Sequence, residues 1–353
     1  MKSTTIRPSV ELPAVIESEE TLDEIMTRPR PVMVECIRTL QSPLVILGAG
    51  GKMGPTLAVL AKRAAEAAGH RLDIIAVSRV AHPQAREWLE GRGVRTISCD
   101  LLESEAVKRL PDSVNLIYLV GLKFGTAENP GATWAMNTLV PAHVTQRFPR
   151  ARIVALSSGN IYPLVPASSG GSVETDSVAP VGEYPNAVLA RERIFQFYSQ
   201  KNQTLVVLVR LNYAVDLRYG VLVDIAQKVH RGEPIDVTMG DLNCIWQGDA
   251  NEFILRSLTL ASAPPAILNL TGPAVLSVRE LALQFSQLLG RSAHIVGVEA
   301  ETALLNNPAR ICALFGPPAT AMETVMRWTA HWISQHGRLL NKPTHFEVRN
   351  GKY

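Results

Sequence analysis

A glycine-rich turn is the first stretch of the sequence whose residue types and spacing could do chemistry. In "GAGGKMG", glycines stand at 48, 51 and 54, between the apolar run "LVILGAG" and the alanine-rich "TLAVLAKRAAEAAG". This spacing lets the backbone turn sharply and approach a pyrophosphate, which then lies at the N-terminus of the following helix. Gly48, Gly51 and Gly54 therefore predict a dinucleotide site, with a purely structural turn as the alternative.

The ends of the next two predicted strands indicate which dinucleotide the site prefers. The second strand ends with Ser78 and Arg79, where an NAD-specific site usually has an acid for the ribose hydroxyls. A hydroxyl and a guanidinium suit a 2′-phosphate, so the pair favours NADP over NAD, unless Arg79 is a plain surface residue. Asp100, at the end of the third strand, is either an acceptor for the adenine amino group or a helix N-cap.

The elements that must position these residues alternate between short apolar runs and helical segments. The runs lack period-two alternation, which is typical of strands buried on both faces of a parallel sheet. This order predicts a Rossmann-type, doubly wound α/β fold. The predicted strands are 44–50, 72–79, 94–101, 115–121, 151–159 and 204–212, the last of which closes the series.

Three parts of the chain are expected from this pattern. Residues 1–42 form an N-terminal extension, either an arm packed on the fold or a dimer contact or active-site cover. Residues 43–212 form the dinucleotide-binding domain. Residues 213–353 form mainly a smaller α/β substrate lobe, with segments near 241–262 returning to the first domain.

Composition excludes several classes of function. The chain has 353 residues, 46% hydrophobic and 19% charged, which suits a sizeable core. A formal charge of +3, with the basic residues spread along the chain, argues against a nucleic-acid partner. No apolar run reaches the length of a signal peptide or membrane span. The four separate cysteines predict a reduced, cytoplasmic protein, and the histidine spacing predicts no metal site.

The order of motifs between residue 44 and about 290 resembles a known family. After the glycine turn come "CDL", "GLK", "MNTLVPA", "LSSGNIYP" (156–163) and "YPNAVLARE" (184–192). Together they resemble the extended short-chain dehydrogenase/reductase family, the NAD(P)-dependent epimerases and dehydratases. The resemblance implies hydride transfer between a nicotinamide cofactor and a small substrate, and assembly as a homodimer through helices near 134–148 and 187–200.

The resemblance also implies which residues form the site. Ser158 would hydrogen-bond the reacting oxygen, and Tyr184 would move the proton. The implied substrate contacts are Ser158, Asn160 and Asn212. The implied cofactor contacts are Gly48, Gly51, Lys52, Met53, Gly54, Ser78, Arg79, Asp100, Leu101, Val120, Gly121, Lys123, Asn137 and Tyr184.

One departure from the family pattern puts catalysis in question. Four residues after Tyr184, where the family has a lysine that lowers the tyrosine pKa, this chain has Val188. Lys123 is the leading replacement cation, and Arg191 is a poorer one because its helical register is expected to point it away. Otherwise another base acts, or the substrate is acidic enough to need none, or the chain is a catalytically silent NADP-binding protein.

A second departure concerns the substrate. Members that act on sugar nucleotides commonly have an arginine that binds the diphosphate, and none occurs in "MGDLNCIWQGDA" (239–250). Arg218, Arg231 and Arg310 are other possible anion contacts. The sequence therefore favours a small carbohydrate-like substrate, a sugar or sugar acid, over a sugar nucleotide.

Overall fold

The strands form where the sequence has short apolar runs, and most of the longer ones are fully buried. The computed structural model describes residues 12–79, 83–123 and 128–351. Its strands are β1 Leu44–Leu47, β2 Ile74–Ser78, β3 Arg95–Ser98, β4 Asn115–Tyr118, β5 Arg152–Ser158, β6 Val165–Pro166, β7 Leu205–Leu211, β8 Ala214–Val215, β9 Pro234–Asp236, β10 Asp241–Leu242, β11 Ile245–Trp246, β12 Ala266–Leu270, β13 Leu276–Ser277, β14 His294–Val296 and β15 Thr302–Ala303.

Helices fill the segments between the strands. They are α1 Glu19–Met26, α2 Pro31–Ile37, α3 Gly54–Ala67, α4 Pro83–Glu90, α5 Ser104–Lys108, α6 Pro130–Arg147, α7 Glu183–Asn202, α8 Val221–Arg231, α9 Gln247–Arg256, α10 Val278–Leu289, α11 Ala309–Phe315 and α12 Met322–Ser334. No helix in the described part of the chain combines the length and apolarity that a membrane span needs.

The main sheet has the order β12-β7-β5-β4-β1-β2-β3, and every neighbouring pair in it is parallel. The chain runs outward from β1 to β3 and then crosses back to β4 on the other side of β1. That reversal leaves a crevice at the carboxyl ends of β1 and β4, where such sheets bind ligands. The predicted Rossmann-type fold is confirmed.

Side chains of β1 alternate between two apolar cores. Leu44 and Ile46 lie in the core under α2, α3 and α9, whereas Val45 and Leu47 lie in the core under α5, α6 and α7. Both faces of the strand are buried because successive strand residues point to opposite sides. This explains the continuous apolar run of β1, and it holds in place the end of the strand from which the glycine turn begins.

The sheet extends one strand beyond the expected series. β12 pairs in parallel with β7, so the prediction that 204–212 is the last strand is wrong. α9, before it, packs on α3 and adds Phe253 and Ile254 to the same core.

A separate apolar core lies in the substrate lobe. It joins α8, α10 and α12, where Trp328 packs edge-on against Trp246 at 5.5 Å between ring centres. Ile16 and Leu22 enter this core from the N-terminal side, and Phe346 enters it from the C-terminal tail, residues 335–351. Both terminal segments are therefore built into the lobe.

Candidate active site

The glycine turn fits a bound diphosphate. Gly48 has a φ of +81°, and a Cβ there would lie 2.9 Å from the Val120 backbone nitrogen. A Cβ on Gly54 would collide with the Ala49 carbonyl oxygen. Gly51 differs, because a Cβ there would have only the Gly48 oxygen nearby, at 3.5 Å, and the residue lines a cavity. Two glycines thus close the turn, and the third leaves space for a ligand at the start of α3.

That cavity has a volume of about 1010 Å³ and lies at the carboxyl ends of the strands. Its size is at the upper end of ordinary ligand sites, so it has room for a large ligand. Eleven of the predicted site residues line it: Gly48, Gly51, Lys52, Met53, Gly54, Gly121, Lys123, Ser158, Asn160, Tyr184 and Asn212.

Ser158 and Tyr184 meet at this cavity from two different elements. Ser158 is the last residue of β5, and its Oγ donates to Asn160 Oδ1 at 2.8 Å while accepting from the Asn160 backbone N–H at 3.2 Å. Tyr184 lies in the first turn of α7 and is 9% exposed. Both residues are therefore mostly buried and line the same cavity.

Val188 occupies the helical turn after Tyr184 and is fully buried. It packs with Ile161 and Tyr184 in a small apolar cluster. The position at which the resemblance implies a lysine is thus filled by hydrocarbon.

Two cations, Lys123 and Arg191, line the cavity that Tyr184 also lines. Lys123 follows β4, and its Nζ lies 5.9 Å from the centre of the Tyr213 ring. Burial lowers the pKa of Lys123 to about 8, against a smaller opposing effect of Asp224. Arg191 also lines the cavity, and its guanidinium donates to the Val120 carbonyl oxygen at 2.7 Å.

The expectation that Arg191 points away is wrong. Seven residues make nearly two helical turns, so Arg191 lies on the same face of α7 as Tyr184, within about 20°. Its buried Nε has no hydrogen-bond partner among the described residues, and its Nη1 and Nη2 lie beside Gly121. An unpartnered guanidinium N–H at a cavity wall fits an anionic ligand.

Lys52 is a third cation at the cavity. Its Nζ donates to the Ala214 carbonyl oxygen at 2.6 Å and lies 4.6 Å from the centre of the Tyr219 ring. Burial lowers the pKa of Lys52 to about 8. Asp216 acts in the opposite direction, and Arg218 and Lys123 add to the lowering.

Beneath Tyr184, a buried ion pair holds α7 against the sheet. Arg210 of β7 donates to both carboxylate oxygens of Glu192, at 3.0 and 2.9 Å. Ser157 donates to the same carboxylate at 2.5 Å, and Arg210 also donates to the Tyr162 hydroxyl at 2.6 Å. This network positions the helix that presents Tyr184.

Six predicted cofactor contacts do not line the cavity. Asp100 accepts from the Leu102 N–H at 3.0 Å, and Asn137 donates to Thr133 of its own helix at 2.7 Å. Arg79 is exposed and is the last residue described before residues 80–82. The six are Ser78, Arg79, Asp100, Leu101, Val120 and Asn137.

Asn212 belongs to an asparagine network on the substrate side. Its amide donates to Asn243 Oδ1 at 2.8 Å, and the Asn243 amide donates to the Asn306 carbonyl oxygen at 2.6 Å. Of the arginines suggested for anion binding, Arg218 lines the cavity, whereas Arg231 and Arg310 do not.

The terminal segments supply one wall of the cavity. An active-site cover was one of the alternatives for residues 1–42, whereas the part played by the tail was not predicted. Arg338 of the tail pairs with Glu19 of α1 at 2.5 Å. Arg218 pairs with Asp23 and Asp216 at 3.1 Å and with Glu19 at 3.4 Å. These five residues form a charged cluster at the cavity wall. The signal available in the sequence was only the opposite charge of distant residues, which does not identify partners.

The comparisons with known proteins agree with this arrangement. The family model described as the NAD dependent epimerase/dehydratase family matches residues 44–247. The chain belongs to this family. No curated protein was found to match.

Solved structures of epimerases and dehydratases share the fold. A Thermus thermophilus UDP-glucose 4-epimerase in complex with NAD aligns with a TM-score of 0.67 at 18% identity, over 84% of this chain and 99% of that one. A dTDP-glucose 4,6-dehydratase from Bacillus anthracis, also with NAD, gives 0.70 at 14% identity, over 84% and 97%. A UDP-glucuronic acid 4-epimerase from Bacillus cereus with NAD gives 0.70 at 14%, over 83% and 99%.

Proposed function

We propose that this protein is a nicotinamide-dependent oxidoreductase or epimerase that acts on a hydroxyl group of a small carbohydrate-like compound. The observation that carries the proposal is the cavity lined jointly by the glycine turn, Ser158 and Tyr184. A bound nicotinamide would take up or return a hydride. The chain then has to hold the hydroxyl, move its proton and exclude water.

Ser158 and Tyr184 are the groups proposed to handle the reacting oxygen. The Ser158 hydroxyl would donate to the oxygen, and the ionised Tyr184 side chain would take the hydroxyl proton as the carbon–oxygen double bond forms and would later pass that proton to solvent. A nicotinamide held beside the glycine turn would accept the hydride from the carbon, so that the alcohol becomes a ketone. Return of hydride to the opposite face would give an epimer, and release of the ketone would give simple oxidation.

NADP is the proposed preferred cofactor, with NAD as the alternative. The support is Ser78, which lies against Gly50 of the glycine turn, and the exposed guanidinium of Arg79 next to it. A charge-assisted contact to a 2′-phosphate contributes about 1.5–3 kcal/mol, or roughly ten- to a hundredfold in affinity. NAD is the cofactor named for the similar structures, so the preference is specific to this chain's residues.

A catalytically silent NADP-binding protein is the second candidate. The observation that favours it is the full burial of Val188 between Ile161 and Tyr184, where a cation would otherwise lower the tyrosine pKa. Ser158, Tyr184 and the nearby Lys123 favour the active enzyme.

A homodimer and a cytoplasmic location complete the proposal. α6 and α7 pack together, and their outer surface exposes Leu139 and Phe197 to about half of their full extent. Exposed apolar side chains on two adjacent helices suit a contact with a second copy. All four cysteines are free, which suits a reducing compartment.

The first test is a calorimetric titration of ligand-free protein with NADP and then with NAD. Micromolar binding that favours NADP is expected, and Arg79→Ala should remove the preference. If neither dinucleotide binds, the oxidoreductase proposal fails. If both bind but no sugar or sugar acid is turned over, the silent-protein alternative is supported.

A further inference from the structure

The side chain of Lys52 leaves the glycine turn and ends in the substrate half of the cavity. Its ammonium contacts the Ala214 carbonyl oxygen at 2.6 Å and the face of the Tyr219 ring at 4.6 Å. Ala214 belongs to β8 and Tyr219 precedes α8, so both contacts belong to the substrate side. A lysine that started in the cofactor turn is therefore presented to whatever lies beyond the cofactor.

Tyr219 connects this ammonium to the proposed reaction centre. Burial raises the pKa of the Tyr219 hydroxyl. Asp224 and Tyr184 raise it further because they lie close to it. Tyr219 therefore contacts Lys52 and lines the same cavity as Tyr184. An anionic group held at Lys52 would belong to a molecule that also reaches Tyr184.

The charges around the cavity call for an anionic ligand. Among the described residues, six basic side chains line it against three carboxylates, an excess of three positive charges. The three carboxylates, Glu19, Asp23 and Asp216, are all in ion pairs with Arg218 or Arg338. A dinucleotide diphosphate brings two negative charges. One positive charge is then left for the substrate.

Lys52 and Lys123 also repel each other. Each has a pKa of about 8, mainly because of burial, and Lys123 contributes to the lowering at Lys52. Two buried ammonium groups at one cavity are stabilised when an anion binds between or beside them.

We propose that Lys52 binds a carboxylate of the substrate, so that the substrate class is a hydroxy acid such as a uronate or aldonate. The inference rests on the proposed function, since it places the substrate's hydroxyl at Ser158 and Tyr184. A carboxylate at Lys52 accepts a charge-assisted hydrogen bond in a partly dry site. Such a bond corresponds to about ten- to a hundredfold in affinity.

The experiment compares acids with matched neutral sugars by calorimetry on protein saturated with NADP. Galacturonate and galactose, glucuronate and glucose, and gluconate and sorbitol differ mainly in the carboxylate. At least one acid is expected to bind ten times more tightly than its neutral partner. Lys52→Met should reduce that ratio to about one, whereas Lys52→Arg should retain most of it. Lys62→Met is the matched control, because Lys62 lies on α3 outside the cavity lining and pairs with Glu66.

The outcomes separate the inference from the proposed function. If NADP binds but no acid exceeds its neutral partner, the carboxylate assignment is overturned and the dinucleotide site stands. If Lys52→Met weakens NADP tenfold while the acid preference survives, Lys52 serves the diphosphate and the inference is wrong. If Lys62→Met abolishes the preference as well, the effect is not specific to Lys52 and the inference also fails. If NADP does not bind, the proposed function itself fails.

Discussion

Tyr184 and its surroundings present an unusual chemical problem. The phenol lies at the cavity, but the next helical turn offers it Val188 and not a cation. Lys123 and Arg191 approach from other directions, one from the end of β4 and one from two turns along α7. Any positive potential that the reaction needs must therefore come from residues outside the expected position.

Tyr184→Phe tests the proton transfer directly. Loss of the hydroxyl removes a general acid–base, so kcat should fall by about 10²–10⁴. Stopped-flow measurement of nicotinamide reduction, with the substrate found in the screen, would give the rate. Unchanged turnover would show that another group moves the proton. Tyr198→Phe, on the same helix outside the cavity lining, serves as the control.

Val188→Lys tests how closed the apolar cluster is. An ammonium placed among Ile161 and Tyr184 would lose hydration without a built partner. We expect the free energy of unfolding to fall by about 2–4 kcal/mol more than in Val188→Met, which adds similar volume without charge. Urea denaturation of both variants gives the difference. Equal stabilities would mean that water or an anion reaches this position.

The pKa of Lys52 predicts a pH-dependent stability. Its folded pKa of about 8 lies below the ordinary lysine value of 10.5, so the unfolded chain binds more protons between those two values. The cost of burying the charged Lys52 ammonium is therefore complete below pH 8 and decreases as the pH rises toward 10.5. The free energy of unfolding of Lys52→Met, taken relative to wild type, should therefore be higher at pH 7 than at pH 10 by on the order of 2 kcal/mol.

Other charged and titratable groups lie close to Lys52 and could also contribute to the pH dependence of stability. They are Asp216 and Arg218 from the segment after β8, Lys123 from the end of β4, and the Tyr219 ring. All of them remain in the variant, so their own titrations largely cancel in the comparison. Chemical denaturation of both proteins at pH 7 and pH 10 would measure the difference in stability between variant and wild type. A constant difference across pH would show that Lys52 is well solvated.

At the level of elements, the attachment of α7 to the sheet decides where Tyr184 stands. Glu192 and Arg210 are almost fully buried, with 1% and 5% of their side chains exposed, and they form a two-point ion pair between helix and strand. Arg210→Met alone should lower stability by about 3–5 kcal/mol, because it leaves the Glu192 carboxylate buried and unpaired.

A double-mutant cycle isolates this pair. Glu192→Leu combined with Arg210→Met removes both charges, so the double variant should be more stable than Arg210→Met alone. Urea denaturation of the four proteins gives the coupling energy. If the double variant is less stable than either single one, the pair's remaining bonds to Ser157 and Tyr162 dominate.

Local sequence patterns were enough to predict most strands and the glycine turn, but not every strand that pairs in the sheet. The apolar runs of β1, β2, β4, β5 and β7, and the glycine turn, are written in contiguous residues, so their order followed from the sequence. β12 was missed because the strand with which it pairs, β7, ends more than fifty residues earlier in the chain. The orientation of Arg191 was predicted wrongly because seven residues make nearly two helical turns and return the chain to the Tyr184 face of α7.

Other features depend on contacts between distant parts of the chain. Lys52 contacts Ala214, and Thr344 contacts Asp224, across separations of more than a hundred residues. Opposite charges or a small polar side chain do not reveal which distant residue will be the partner. The pairing of the tail with the N-terminal segment at the cavity wall could therefore not be predicted.

At the scale of the whole molecule, the tail is a structural part of the substrate lobe. Thr344 donates through both its N–H and its hydroxyl to Asp224, at 2.8 and 2.6 Å. Arg349 donates to the carbonyl and hydroxyl oxygens of Thr302, at 2.6 and 2.7 Å. Phe346 lies between these anchors, 1% exposed, within the core of the lobe.

Phe346→Ala should therefore behave as a core substitution although it lies close to the end of the described chain. Removing the buried ring costs about 3–5 kcal/mol when the cavity left behind does not collapse. Arg327→Ala, an exposed change on α12 outside the cavity lining, should alter stability by less than about 0.5 kcal/mol. Because Leu340 and Thr344 line the site, loosening the tail should also weaken sugar-acid binding more than NADP binding. Denaturation and calorimetry on both variants measure the two effects, and a Phe346→Ala protein as stable as Arg327→Ala would show that the tail is not docked in solution.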